Sequence, residues 1–225
     1  MFENIKQLFN FAFYLKDMII TEKHQHILDK AEELFAGNGF EGTTVRDIAT
    51  AAEVNLAMIS YYFGSKEKLM EALFKHRMDG TRMTIEAVVV NQTITPFQKL
   101  EILIDQYINR VFDKQAFYKV MHTEQMLNKN SVIIKVMKQY KIGFINMIDS
   151  VIKEGNKTAI FKKEADTMLL LQTMTGTVIQ TVLNKDYYKE FHQLGKMKEK
   201  EFDVLLKEKL STYIKNLFKA TLGYE

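Results

Sequence analysis

The sequence predicts an all-α protein, with a small N-terminal helix-turn-helix domain followed by a larger helical bundle. Three observations carry this. Helix breakers are scarce: 10 glycines in 225 residues, and Pro96 as the single proline. Apolar residues make up 47% of the chain and recur at three- and four-residue spacing over long runs. Against those runs, Thr43–Lys66 stands out as short, closely punctuated segments. A chain of this length buries either one good core or a small domain plus a larger one.

Residues 1–20 place Phe2, Ile5, Leu8, Phe9, Ala12 and Phe13 at roughly helical spacing, so an extra amphipathic helix packing on its own protein is expected there. Glu3, Lys6, Lys16 and Asp17 interrupt it, leaving far fewer than the roughly 20 apolar residues a bilayer needs. It also lacks the basic start and small-residue cleavage site of a signal peptide. With no cysteine in the chain, a cytoplasmic protein without disulfides, thiolate metal sites or membrane contact is expected. The next helix runs from about Glu22 to Ala36 on an Ile27, Ala31, Leu34, Phe35 stripe and ends at Gly37-Asn38-Gly39. His24 and His26 point to different faces and read as solvated.

Between Thr43 and Lys66 the caps can be named. Thr44 is an N-cap with Asp47 as its capping-box partner, and Val45, Ile48, Ala49 and Ala52 share one face. Glu53-Val54 makes a turn and Asn55 caps a second short helix anchored by Ile59, Tyr62 and Phe63. Gly64 supplies a left-handed stop and Ser65 caps the helix that follows. Two such helices fit a helix-turn-helix offering its second helix to a DNA major groove. They also fit two short helices inside an ordinary bundle, and geometry alone leaves both open.

The residues themselves add a resemblance. Ala31-x-Glu33-Leu34-Phe35-x-x-x-Gly39-Phe40, then Thr43-Thr44-Val45-Arg46-Asp47-Ile48-Ala49, then Val54-Asn55-x-x-x-Ile59-Ser60-Tyr61-Tyr62-Phe63-x-Ser65-Lys66-Glu67-x-Leu69 resemble the DNA-binding domain of the TetR family of bacterial transcriptional regulators. The likeness runs without a gap from about Thr21 to Leu73; beyond it only helical character and length are similar. It implies a helix-turn-helix domain over residues 21–66 and a ligand-binding and dimerisation domain over 67–225. It also implies a homodimeric regulator, usually a repressor, on a palindromic double-stranded operator with half-sites roughly 34–36 Å apart or a multiple of that. In that family the first helix begins near the N-terminus, which makes Met18 an alternative start.

Carried over by position, Thr44 and the first amides of its helix hold a phosphate, and Arg46 reaches a phosphate or a base edge. Asn55, Leu56, Ala57, Met58 and Ser60 lie along the exposed side of the reading helix. Tyr61 and Tyr62 contact the backbone, and Lys66 supplies a phosphate charge. Three positions depart from the common pattern: Glu53, where many members have Gly, Met58, where many have Thr, and Ser60, where many have Tyr. Leu56, Ala57 and Met58 offer only methyl and thioether groups, so base reading leans on thymine methyls and DNA shape. Bulk charge does not help. Residues 1–80 hold nine Lys/Arg against twelve Asp/Glu, a net of −3, and the chain's +3 excess lies entirely in the remainder. Affinity must therefore come from placed donors and from pairing of two reading heads.

The rest reads as long helices. The connecting helix from Ser65 to about Val90 carries Leu69, Leu73, Phe74, Arg77 and Met83, and Pro96 opens the next. Stripes follow over Leu100–Val111, Phe117–Leu127 and Val132–Val151, the last ending at Gly155-Asn156. The helix Glu164–Asn184 is apolar on both sides, and the last helix carries Phe202, Leu205, Leu206, Leu210, Tyr213, Ile214, Leu217 and Phe218. Two such helices per subunit would form a four-helix homodimer interface, as the resemblance also implies; cover by the N-terminal helices is the alternative. A break at Leu206 or Leu210 is then expected to separate the subunits and abolish operator binding.

Tyr107, Glu124 and Gln172 interrupt apolar stripes and are the candidate ligand-site residues, for a small apolar ligand. No Glu-x-x-His pair, His-Glu-x-x-His site, phosphate loop or Gly-x-Ser-x-Gly elbow occurs, so no metal, cofactor or catalytic residue is assigned. Two other functions remain open on sequence: a ligand-independent DNA-binding protein of chromosome organisation or division, and a helical enzyme.

Overall fold

The computed structural model describes residues 22–127 and 131–225; the helix expected over residues 1–20 and the side chains of Val132 and Ile133 lie outside this description. Ten helices occur among the described residues: α1 (Glu22–Asn38), α2 (Val45–Ala51), α3 (Leu56–Phe63), α4 (Lys66–Val89), α5 (Pro96–Asp113), α6 (Gln115–Leu127), α7 (Ser131–Lys157), α8 (Thr167–Leu183), α9 (Lys185–Phe191) and α10 (Glu199–Leu222). The chain falls into two compact units, one ending at Leu73 and one running from Phe74 to Glu225, so the division lies within α4.

In the first unit α1 buries Ile27, Leu28, Ala31 and Phe35, with Glu32 among them. Leu34, expected in that stripe, is only half-buried, and Leu28 takes its place. The helix runs two residues further than the glycines suggest. Gly37 lies inside it, and the left-handed residue is Gly39 at φ +76°, whose N–H donates to the Phe35 carbonyl at 3.0 Å. Thr43 is fully buried, and its hydroxyl faces the carbonyls of Gly39 (2.8 Å) and Leu34 (3.3 Å), pinning the link from α1 to α2.

In the second unit α5 is the central element. Thr95 and Gln98 form a reciprocal capping box, with Pro96 in the first turn where its missing N–H costs nothing. The helix then buries Phe97, Lys99, Leu100, Leu103, Ile104, Ile108, Val111 and Phe112 and packs against α6, α7, α8 and α10. From α10, Phe202, Leu206, Leu210, Ile214, Phe218 and Leu222 complete this core at strict four-residue spacing. That corrects one expectation. Leu206 and Leu210 are part of the protomer's own core, so substitutions there break the fold rather than separate subunits.

Helix α7 also runs past its expected stop. Gly155 lies inside it because the Phe161 ring rests on its backbone: a Cβ built there would lie 2.2 Å from two ring carbons. Gly155→Ala is therefore expected to cost about 1–3 kcal/mol by overpacking, seen as a lower denaturation midpoint at unchanged m-value. Sequence periodicity gave no sign of α9. It buries no side chain and is held by Lys185 to Asp203 and by Lys189 to Glu199 at 2.6 Å.

Candidate nucleic-acid interface and ligand cavity

The reading head is built from local chemistry. At the start of α2, the Asp47 N–H donates to the Thr44 hydroxyl (3.1 Å), while the Thr44 amide and hydroxyl both donate to the Asp47 carboxylate (2.8 and 2.7 Å). The Thr44 hydroxyl, then its amide, hold the Asp47 carboxyl below its ordinary range. Thr44, expected to hold a phosphate, thus has both donors committed to Asp47. Arg46 is exposed and carries no hydrogen bond or ion pair among the described residues.

Helix α2 ends in a Schellman motif. Val54 N–H donates to the Ala49 carbonyl (3.0 Å) and Glu53 N–H to the Thr50 carbonyl (3.1 Å), with Glu53 at φ +52°. A side chain at that position is strained, which accounts for glycine as the common residue there and gives no reason for Glu53. Glu53→Gly is expected to stabilise the protein by about 0.5–1 kcal/mol. A melting temperature that rises by about 1–4 °C checks this.

Asn55 caps α3 by accepting the Ala57 N–H at 2.9 Å. Of the residues assigned to DNA, Asn55, Leu56, Ala57, Ser60 and Tyr61 are exposed, Tyr61 by 84%, and Met58 is half-buried above the buried Ile59. Tyr62 is half-buried because His24 of α1 meets its ring edge-on, centroids 4.0 Å apart. His24 is therefore not simply solvated, and burial pushes its pKa down. Gly64 ends α3 at φ +78°, ψ −55°, a γ-turn in which Ser65 N–H donates to the Phe63 carbonyl at 3.0 Å.

Lys66 has its ammonium turned inward. It donates to the carbonyls of Phe40 (2.9 Å) and Thr43 (3.1 Å) and lies 4.2 Å from the Phe40 ring centroid. Its expected role as a phosphate donor therefore gives way, in the free protein, to holding the α1–α2 connection.

The second unit encloses a cavity of about 530 Å³, walled by α4 to α8 with Phe218 of α10. Leu100, Leu103, Ile104, Phe144, Ile148, Met174 and Ile179 make most of it apolar. Of the three candidate ligand-site residues, Tyr107 and Gln172 line it. Glu124 does not: it is buried, but outside the cavity wall. Burial, with Tyr118 nearby, raises the Tyr107 pKa; the two rings meet edge-on at 5.9 Å. Polar wall residues that periodicity missed include Arg110, Tyr118, His122 and Tyr140. Tyr140 donates to Asp79 of α4 at 2.6 Å, and burial followed by that bond pushes its pKa up. Lys141 donates to Gln125 at 2.6 Å.

Comparison with known proteins extends this reading. Residues 27–73 match the profile of bacterial regulatory proteins of the tetR family, and residues 74–217 match that of the C-terminal region of YsiA-like proteins. The chain belongs to the TetR family. The likeness thus continues well past Leu73, where the motif ended. This TetR-family chain is 27% identical over 160 residues to the fatty acid metabolism regulator protein of Bacillus subtilis, covering 71% of this chain and 81% of that one. Its fold is similar to that of the fatty acid degradation regulator FadR from Bacillus halodurans (TM-score 0.64, 23% identity, 88% and 96% covered). It is also similar to that of FadR from Bacillus subtilis, solved in complex with stearoyl-CoA (TM-score 0.61, 22% identity, 84% and 96% covered). The TetR-family chain is a DNA-binding transcriptional regulator, all-α, with its helix-turn-helix at the N-terminal end.

Proposed function

We propose that the protein is a cytoplasmic, homodimeric repressor that holds a palindromic operator and releases it when a ligand bearing a long acyl chain enters the cavity. The observation that carries this reading is the cavity itself. At about 530 Å³ it falls in the range of small-molecule sites, its wall is mostly apolar, and one wall is α4. The first turns of α4 belong to the DNA-reading unit, so the chain connects the two functions covalently. The acyl chain as ligand rests on the relatives: one is named for fatty acid metabolism and another was solved with stearoyl-CoA.

Within the second unit α4 meets the other helices through buried Phe74, Met78 and Ile85 and through the Tyr140–Asp79 hydrogen bond. A ligand shifts an equilibrium only by its differential affinity for the two states. This bond, beside the cavity, gives such a difference a place to act. Tyr140→Phe removes it and is expected to lower ligand-free operator affinity by roughly 3- to 10-fold with little loss of thermal stability. Unchanged DNA affinity in that variant would remove the bond from the switch.

Dimerisation is supported by apolar side chains left exposed on two neighbouring helices: Leu169 and Leu183 on α8, Val204 and Tyr213 on α10. Among the described residues, no helix is long and apolar enough to cross a membrane. The test is fluorescence anisotropy with the palindrome upstream of the protein's own gene. Stearoyl-CoA or another long-chain acyl compound is expected to weaken binding by about 5- to 150-fold. If no acyl compound moves the affinity, the ligand class is wrong.

A further inference from the structure

Helix α8 is both a wall of the cavity and an outer surface of the protomer. Met168, Gln172, Gly176 and Gln180 line the cavity, and all four are exposed. A residue that lines a cavity and still meets outside water lies at its mouth. Helical spacing fixes what stands beside that mouth. Leu169 and Leu183 lie seven residues before and after Gly176, two turns either way, so the three share one stripe of α8. Both leucines are exposed, by 61% and 47%, while Leu170, Met174 and Val178 bury the opposite side. A Cβ built at Gly176 would meet no side chain and no other helix within 4 Å, so nothing in the protomer covers the stripe at its centre. Nor does α8 carry a single charged residue from Thr167 to Leu183, although this side faces out. A two-fold axis sets each charge against its own copy, and like charges so placed are costly. An uncharged outer face with exposed leucines is what pairing with a second copy requires.

We infer that the second copy of the chain completes the ligand cavity by covering its mouth on α8. Seated on Leu169 and Leu183, it must also lie over Gly176, between Gln172 and Gln180. This rests on the pairing through α8 and α10 proposed above, and adds that one protomer does not hold a whole site. The missing side chain at Gly176 leaves the wall thin there and lets the second copy approach closely. An apolar ligand is then shielded from water on that side only in the dimer. Ligand and dimerisation are therefore linked: a filled cavity holds the two copies together more tightly, and separated copies bind ligand more weakly.

The chain has no cysteine, so one introduced thiol reports on one position. Gly176→Cys in the full-length protein is labelled with a maleimide, alone and combined with Leu169→Asp and Val204→Asp, which separate the copies. Labelling is expected to be about tenfold or more slower in the dimer than in the monomeric background. Met83→Cys, at a position of α4 that is 70% exposed and outside the cavity wall, should label alike in both. Where sedimentation shows that Gly176→Cys itself disturbs pairing, Gln172→Cys takes its place. In the unsubstituted protein, saturating stearoyl-CoA is expected to lower the dimer dissociation constant by about tenfold. Equal labelling in dimer and monomer, or a dimer constant that bound stearoyl-CoA leaves unchanged, overturns the shared cavity. An unsubstituted chain that sediments as a monomer overturns the pairing as well. Failure of stearoyl-CoA to bind counts against the acyl reading, and labelling, which needs no ligand, still decides whether the second copy covers the mouth.

Discussion

The double variant Leu169→Asp, Val204→Asp is expected to fold normally, sediment as a monomer and lose operator affinity by about a thousandfold or more. Leu169 is 61% and Val204 57% exposed, so neither substitution removes packing within the protomer. Carboxylates placed on both helices would oppose each other across a two-fold axis, where a self-complementary face must meet its own copy. The consequence for DNA follows from charge. With nine cations against twelve anions over residues 1–80, a lone reading head has little sequence-independent attraction to phosphate. Contacts through Arg46 and the exposed side of α3, as proposed for it, would then have to be doubled to be useful. Sedimentation and anisotropy on the same preparation check both parts; a variant that remains dimeric and keeps its operator places the pairing face elsewhere. Substitution at Leu206 or Leu210 would mislead here, because loss of binding would follow from loss of the core.

The largest effect on stability is expected from Glu154→Ala. Lys99 is fully buried on α5, and its ammonium is held by Glu154 of α7 at 2.8 Å. Breaking such a pair by removing one partner costs about 3–5 kcal/mol, because the remaining charge is left buried and unpaired. Glu154 is partly exposed, so water softens the loss and the lower end is expected, a fall of roughly 6–12 °C in melting temperature. The asymmetry makes the test specific. Lys99→Met keeps a stem of similar length without the charge; it is expected to be mild alone and to recover most of the stability lost in Glu154→Ala. If the double variant is as unstable as Glu154→Ala, the buried charge is not the cause.

These cases show what the sequence could and could not express. The caps at Thr44, Asn55 and Thr95-Pro96 were legible because each is settled by side chains within three residues of the backbone they serve. Glu53 is legible as a departure, and its positive φ shows why glycine is the common residue there. Tertiary partners were not. A stripe such as Leu206-Leu210-Ile214 has the same period whether it faces its own core or a second subunit. Periodicity likewise reads a residue beside a void and one beside a packed neighbour identically, so Arg110 and Tyr140 carried no signal while Glu124 carried a misleading one. Position in a motif puts Lys66 on DNA, but its ammonium reaches carbonyls 23 and 26 residues earlier in the chain.

The claim at the centre is that an occupied cavity and a bound operator oppose each other. Linkage makes this testable from the side of the ligand: whatever factor the ligand takes from DNA affinity, DNA must take from ligand affinity. Stearoyl-CoA affinity measured with and without saturating operator is expected to differ by that same factor, about 5- to 150-fold, weaker on DNA. An affinity identical in the two conditions would contradict the account.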